Sequence, residues 1–258
     1  MPSKEISIFL HDQVEPTHGI VTIGNYKVGY FISRSKLKTS EENEDCLFLK
    51  ETKDEILLGV CDGAGGHPRG RDASYTIGNT FMKESGPSKH ELINKINKEV
   101  IDLKVGAKST LAFASFKGDF VKFFSVGDSE VLYWNYQGNE VYSSTPHSIV
   151  GHRVKAGDIS QSESLHDSER HYVNNMMGDE FVKIESTTNI QIKKGHTILI
   201  GSDGIFDNLS HSELHLLAAS GSFESSFEGL VKVCTEQDEE KWIKDDDIAF
   251  ILVRKIIA

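Results

Sequence analysis

Aspartates stand at the ends of four short apolar runs that are typical of buried β-strands. Asp62, Asp128 and Asp203 each follow such a run, whereas three consecutive aspartates, residues 245–247, precede the run 248–253. If the fourth strand is antiparallel to its neighbours, all these acids lie at one edge of the sheets. Carboxylates crowded there repel each other unless a cation lies between them, and hard divalent cations prefer oxygen ligands. The pattern therefore predicts a divalent metal site at that edge.

A glycine-rich turn and two further acids support this prediction. Asp62 is followed by Gly63, and because glycine lets the backbone approach a ligand closely, the Gly63 carbonyl can serve as an oxygen ligand. Glu44 and Asp45 stand ahead of another predicted strand. Two divalent ions bridged by carboxylates lower the pKa of a shared water and neutralise charge on the equatorial oxygens of a phosphoryl group. The expected chemistry is attack of hydroxide on phosphorus.

Composition limits the class of protein and its partners. The 258 residues carry 39 acids against 28 bases, a net charge of -11, which disfavours a nucleic-acid partner. No stretch approaches 18 apolar residues and the N-terminal region lacks an apolar core, so we expect neither a membrane-spanning helix nor a signal peptide. The 3 cysteines form no disulfide or metal pattern and fit reduced thiols. We expect a cytoplasmic protein with no membrane partner.

Hydrophobic periodicity indicates one α+β domain over residues 1–258. With only 5 prolines, no Pro-rich linker divides the chain. Strands and helices come in separate blocks, which favours antiparallel sheets over alternating βαβ units. The predicted strands are 28–33, 46–50, 56–61, 109–116, 120–126, 130–135, 140–143, 190–192, 197–201 and 248–253, with those from 109 to 143 forming one meander. The predicted helices are 72–83, 91–103, 210–219 and one around 227–234.

The polar stretch at about 145–179 has little to bury. We expect it to be an irregular, flap-like surface segment. Its histidines fit no zinc pattern and are expected on the surface: His147, His152, His166 and His171.

Several motifs, in order and at similar spacing, carry a family resemblance. Residues 60–67 read V-C-D-G-A-G-G-H, residues 126–129 read V-G-D-S and residues 202–207 read S-D-G-I-F-D, and they are flanked by N-E-D at 43–45 and D-D-I at 246–248. Over nearly its whole length the chain resembles the metal-dependent protein phosphatases (PPM family, type 2C serine/threonine phosphatases) and is similar to bacterial-type members. The resemblance implies a central antiparallel β-sandwich of two sheets with helices on both outer faces, a four-layer αββα arrangement.

The resemblance also implies two Mn²⁺ or Mg²⁺ ions and a set of ligands. Asp62, Asp203 and Asp246 match the catalytic acids. Asp62 would bridge both ions, and Asp203 and Asp246 would bind one of them. Glu44 and the Gly63 carbonyl would hold the other ion, partly through water.

Further positions are carried over from the same resemblance. Asp128 would hold, with Asp203, a weaker third metal found in bacterial relatives. Asp45, Asp247 and His67 would lie behind the ligands and orient them. Asp247 stands where the family usually has asparagine.

One departure concerns the phosphate clamp. The family usually has an arginine four residues before the position of Glu44, and here that residue is Ser40. Loss of a bidentate clamp should weaken substrate binding. Arg34, Lys36 or Lys38 could replace it.

The function expected is a phosphatase for phosphoserine and phosphothreonine in proteins. Hydroxide activated by the dinuclear metal centre would attack phosphorus directly, with no covalent enzyme intermediate. The partners would be phosphorylated proteins in signalling, opposite a serine/threonine kinase, and the chain would be a monomer. One alternative is a pseudophosphatase that serves as a regulatory binding module, favoured by Ser40. Another is a metal hydrolase of small phosphoesters.

Overall fold

Two antiparallel sheets face each other in the computed structural model of the chain, which describes residues 5–36, 42–65, 67–84, 86, 88–237, 242 and 244–257. Along these residues the strands are β1 (Ser7–His11), β2 (Thr17–Ile23), β3 (Tyr26–Ser33), β4 (Asp45–Glu51), β5 (Ile56–Asp62), β6 (Leu111–Lys117), β7 (Phe120–Val126), β8 (Glu130–Trp134), β9 (Glu140–Ser143), β10 (Glu185–Ser186), β11 (Ile190–Gln191), β12 (Thr197–Gly201) and β13 (Ile248–Lys255). The helices are α1 (Gly70–Lys83), α2 (Lys89–Ile101), α3 (Ile149–Ala156), α4 (Gln161–Ser164), α5 (Asp203–Phe206), α6 (His211–Ala218) and α7 (Phe223–Glu236).

The first sheet has the order β1-β4-β5-β6-β7-β10, with β11 also paired to β7, and the second has the order β2-β3-β13-β12-β8-β9. Alternate residues of each strand point into the space between the sheets. Leu47 and Val60 of the first sheet and Ile200 and Ile251 of the second are fully buried in this shared core.

Helices cover the outer face of each sheet, as their hydrophobic periodicity requires. Ile77 and Phe81 of α1 and Ile96 of α2 pack on the first sheet. Phe227 and Leu230 of α7 pack on the second. The described helices include none that is both long and apolar enough to cross a membrane.

The predicted meander is divided between the two sheets. β6 pairs with β7 in the first sheet, but β8 pairs with β12 in the second, with Leu132 opposite Leu199. The chain changes sheets at Gly127, which has a φ of 96° that favours glycine. The prediction of a single meander is therefore wrong, because periodicity reports burial and not the partner strand.

The segment 145–179 contains two helices, α3 and α4, where the sequence suggested irregular structure. Ser148 caps α3, and Ser160 with Glu163 forms a capping box at α4. The prediction of a surface position is wrong for His147, which is 2% exposed. Its Nδ1 accepts a hydrogen bond from Gly127 N (3.1 Å), so it fixes the start of the segment to the crossing between the sheets.

Candidate metal centre

The acids at the strand ends line one cavity of about 450 Å³. β5 and β7 both run antiparallel to β6, so Asp62 and Asp128 come to the same edge of the first sheet. β13 begins where β12 ends, which brings Asp246 to Asp203 at the edge of the second sheet. The topology thus gathers four carboxylates from two sheets around one space.

The backbone at Asp62 is held by its neighbour strand. Asp62 N donates to Thr110 Oγ1 (3.1 Å), and Thr110 N donates to Asp62 O (2.8 Å). The Thr110 hydroxyl also pairs with the Ser129 hydroxyl (2.6 Å), just after Asp128. These bonds connect the ends of β5 and β7 and leave the carboxylates directed at the cavity.

Negative charge is crowded around the cavity. Burial raises the pKa of Asp62 well above its usual range, and the charges of Asp203, Asp45, Asp246 and Asp128 raise it further. Burial and then the charges of Asp203 and Asp207 likewise raise the pKa of Asp128. Burial, followed by the charge of Asp203, raises the pKa of Asp246 to about 6. Carboxyl groups that disfavour one another's ionisation in this way are stabilised in their charged form by an added cation.

One cation of the chain lies among these acids. Lys244 Nζ pairs with Asp203, lies 3.0 Å from Asp246 Oδ2 and lies 3.1 Å from Asp207 Oδ2. Burial alone would raise the pKa of Asp203, but the charge and hydrogen bond of Lys244, together with the charge of Arg170, hold that pKa below its usual value. As these side chains stand, the described residues contain no group of three or more His, Cys, Asp or Glu arranged to hold a metal ion.

The Glu44 carboxylate lies against the glycine turn. The backbone carbonyl oxygen of Glu44 accepts hydrogen bonds from Gly63 N (3.0 Å) and from Ser74 Oγ (2.6 Å). A Cβ at Gly63 would lie 2.4 Å from the carbonyl carbon of Gly70, and a Cβ at Gly70 would lie 2.8 Å from Glu44 Oε1. Only glycine at these two positions lets the turn approach Glu44 so closely.

Asp45 and Asp247 lie behind the cavity and are almost fully buried. Asp45 Oδ2 accepts from Ser202 Oγ (2.7 Å). Asp247 Oδ1 accepts from Ser35 N (2.8 Å), and its Oδ2 accepts from Glu44 N (2.7 Å). Because both oxygens of Asp247 receive backbone N–H groups, aspartate suits this position better than asparagine, whose amide nitrogen cannot accept.

The two described candidates for phosphate binding, Arg34 and Lys36, are not among the residues that line the cavity. Lys36 Nζ donates to Thr235 O (2.7 Å) at the end of α7, and half-buried Arg34 is not part of the lining. Ser40 and Lys38 lie outside the described residues. His67 lines the cavity.

Sequence reasoning missed several residues that shape the centre. Ser202 and Thr110 are small polar residues whose partners are distant in sequence, so no local pattern identifies them. Lys244 carries one signal, its position directly before the three aspartates.

The donor set suits hard divalent cations. The acids offer only oxygen donors, as Mg²⁺ and Mn²⁺ prefer. Asp45 Oδ1 is buried and makes no hydrogen bond within the described residues. After burial, the charge of Asp203 is the largest cause that raises the pKa of Asp62, so a cation bound by both carboxylates would relieve their repulsion.

Comparison with known proteins identifies relatives of the chain. The sequence model of the family described as Protein phosphatase 2C matches residues 32–246. The serine/threonine phosphatase stp of Listeria innocua is 24% identical over 207 residues, which cover 72% of this chain and 81% of that protein. A protein phosphatase 2C of Oryza sativa is 24% identical over 115 residues, but the match spans only 34% of that protein.

Solved structures share the fold at low identity. Serine/threonine phosphatase Stp1 from Staphylococcus aureus has a TM-score of 0.74 at 22% identity, covering 88% of this chain and 94% of that one. The catalytic domain of the phosphatase PstP, solved with 2 manganese ions, has a TM-score of 0.71 at 17% identity, covering 90% and 98%. The four-layer αββα fold that the resemblance implied is confirmed.

Proposed function

Since the chain belongs to the protein phosphatase 2C family, we propose that it is a metal-dependent phosphatase that hydrolyses phosphoserine and phosphothreonine in proteins. The observation that carries this proposal is the gathering of Asp62, Asp128, Asp203 and Asp246 around one cavity. The serine/threonine phosphatases among its relatives support the choice of substrate.

The acids have distinct roles in this proposal. Asp62 would hold two Mn²⁺ or Mg²⁺ ions, and Asp203 and Asp246 would hold one of the two. Glu44 and the Gly63 carbonyl would hold the other. When bound, the ions supply a nucleophile derived from water at neutral pH and positive charge for the phosphoryl oxygens.

The remaining residues keep these ligands in place. Asp247 ties the backbone of Glu44 to the start of β13, and Thr110 ties Asp62 to the end of β7. Asp128 would hold a third ion with Asp203. Tyr172 and His171 line the cavity from the segment 145–179, so a phosphopeptide entering there would contact that segment.

The cellular setting is part of the proposal. We expect a monomer in the cytoplasm that acts on signalling phosphoproteins and opposes a serine/threonine kinase.

A first experiment measures hydrolysis of para-nitrophenyl phosphate and of a phosphothreonine peptide with Mn²⁺, with Mg²⁺ and with EDTA. We expect turnover that requires metal and that Asp62→Asn abolishes. Preference for a small phosphoester over the peptide would indicate a hydrolase of metabolites instead.

A regulatory binding module is the second candidate. It is favoured by Ser40, which replaces the usual arginine clamp, and by Lys244, which lies on two of the catalytic acids. Well-folded protein that binds Mn²⁺ but shows no turnover on either substrate would contradict phosphatase activity and support this candidate.

A further inference from the structure

Lys244 is the lysine in the lining of the acidic cavity. Its ammonium pairs with Asp203 and Asp246, the two acids that we propose to share one metal ion, and with Asp207 beside them. The ammonium therefore contacts the same two carboxylates that would bind that ion.

The backbone of Lys244 is fixed in this position by a side chain distant in sequence. Lys244 N donates to Asn208 Oδ1 (2.8 Å), and Asn208 Nδ2 donates to Lys244 O (2.7 Å). Asn208 is 6% exposed, and its Nδ2 also donates to Gly204 O (2.9 Å), next to Asp203. Asn208 thus anchors the lysine backbone to α5, the helix that begins at its acidic partner Asp203.

The charges around the ammonium do not balance. Three carboxylates contact this one ammonium, and Arg170 pairs with one of them, Asp207, so the acids still outnumber the cations. A divalent cation attracts the same oxygens more strongly than a lysine does. An ion that binds Asp203 and Asp246 must displace the ammonium, because both cannot occupy the space between these two carboxylates.

We propose, on the basis of the function proposed above, that Lys244 is a built-in counter-ion that competes with one divalent cation for Asp203 and Asp246. It holds the acidic edge together when metal is absent and weakens metal binding at this one position. Metal loading then moves the lysine side chain away from these acids.

Titration calorimetry of metal-free protein with Mn²⁺ tests the competition. We expect Lys244→Met to bind one Mn²⁺ about tenfold more tightly than the wild type, a change of about 1.4 kcal/mol. In EDTA we expect Lys244→Met to melt at a lower temperature, and Lys244→Arg to melt close to the wild type.

Lys27→Met is the matched control. Lys27 is 30% exposed, against 31% for Lys244, and pairs with the single carboxylate of Glu224. Lys27 lies opposite Arg254, near the end of β3 that is remote from the cavity. At the other end of β3, which is near the cavity, Ser33 lies opposite Ile248. The removal of Lys27 should leave Mn²⁺ affinity unchanged.

Labelling of the wild type tests the displacement without any variant. Acetylation by an N-hydroxysuccinimide ester, read by mass spectrometry, should modify Lys244 several times faster with Mn²⁺ than with EDTA, while Lys27 reacts equally in both.

The outcomes separate this inference from the proposed function. Equal Mn²⁺ affinity of Lys244→Met and wild type, or equal labelling of Lys244 with and without Mn²⁺, would overturn the inference alone. Absence of Mn²⁺ binding by the wild type and all the variants would overturn both.

Discussion

The hydroxyl of Ser202 donates to Asp45 Oδ2 over 2.7 Å and so joins the two sheets behind the acidic cavity. Ser202 follows β12 of the second sheet, and Asp45 begins β4 of the first. The same hydroxyl accepts from Ala249 N (2.9 Å) on β13. One buried side chain therefore connects three of the strands that carry the candidate ligands.

We expect Ser202→Ala to lower the free energy of unfolding by about 1–3 kcal/mol, because Asp45 would keep no hydrogen bond to its carboxylate within the described residues. Urea unfolding measures this. In the control Ser143→Ala, the lost bond is to Glu140 at the surface, and the effect should stay within about 0.5 kcal/mol. Equal losses in the two variants would contradict a special role for the bond between the sheets.

Asp62→Asn should stabilise the metal-free protein and abolish its response to metal. Asparagine removes one charge from a group of buried acids that repel one another. In EDTA we expect a higher melting temperature than in the wild type, and added Mn²⁺ should raise the melting temperature of the wild type alone. A ligand at about 100 times its Kd stabilises by about 2.7 kcal/mol.

Asp119→Asn is the control for that variant. Asp119 pairs with Lys255 Nζ (2.7 Å) away from the cavity, so asparagine there should not stabilise the protein. A melting temperature of Asp62→Asn in EDTA below that of the wild type would show that the acids do not repel one another as we infer.

The sequence indicated the central strands and the acids at their ends because both depend on local patterns. β5, β7, β12 and β13 are mostly apolar, and each acid lies within two residues of the end of its strand. β5 and β7 run in the same direction, each antiparallel to β6, whereas β12 and β13 are antiparallel to each other, so all four acids come to a common edge.

Other features depend on contacts that no local pattern reports. β2 was not predicted, because only its last residue, Ile23, is buried and the rest of the strand is partly exposed. The position of Lys244 depends on Asn208, which lies 36 residues earlier. In the sequence nothing distinguishes Asn208 from other polar residues that follow a helix, so its role is visible only in the folded chain.

The pair of His211 with Glu130 should make stability depend on pH. His211 Nε2 lies 3.2 Å from Glu130 Oε2 beside a second cavity of about 270 Å³. Burial would lower the pKa of His211, but the charge and hydrogen bond of Glu130, together with the charge of Glu140, outweigh burial and raise the pKa. A raised histidine pKa stabilises the fold below about pH 6.5, the pKa of unfolded histidine, and this contribution is lost as pH rises through the folded pKa.

The test compares the wild type with His211→Gln in urea at several pH values. The wild type should be more stable at pH 6, and the difference should shrink steadily as pH rises. Exposed His152 provides the control, since His152→Gln should show no such trend. A difference that grows with pH would contradict the assigned direction.

Arg170 should restrain the segment 145–179. Its guanidinium donates to Leu165 O and Asp207 O, both at 2.9 Å, and pairs with the Asp207 carboxylate, so it connects the segment to α5. In Arg170→Ala we expect faster hydrogen exchange of amides around residues 161–172, because the segment can then open locally without the cost of breaking the bonds of Arg170. Arg153→Ala, which loses only the pair with Asp167 inside the segment, should change exchange far less.

Asp247→Asn should weaken both the fold and metal binding. Each carboxylate oxygen of Asp247 accepts one backbone N–H, from Ser35 and from Glu44. Asparagine has one acceptor, so one buried N–H would face the amide nitrogen, at a cost of about 1–3 kcal/mol in the free energy of unfolding. If the bond to Glu44 is lost, Glu44 is less well positioned and Mn²⁺ affinity in calorimetry should fall.

The neighbouring variant Asp245→Asn is the control. Asp245 accepts hydrogen bonds from Ser35 and Lys36, so its replacement should leave Mn²⁺ affinity unchanged. Unchanged stability of Asp247→Asn would show that asparagine satisfies both donors and that aspartate has no advantage at this position.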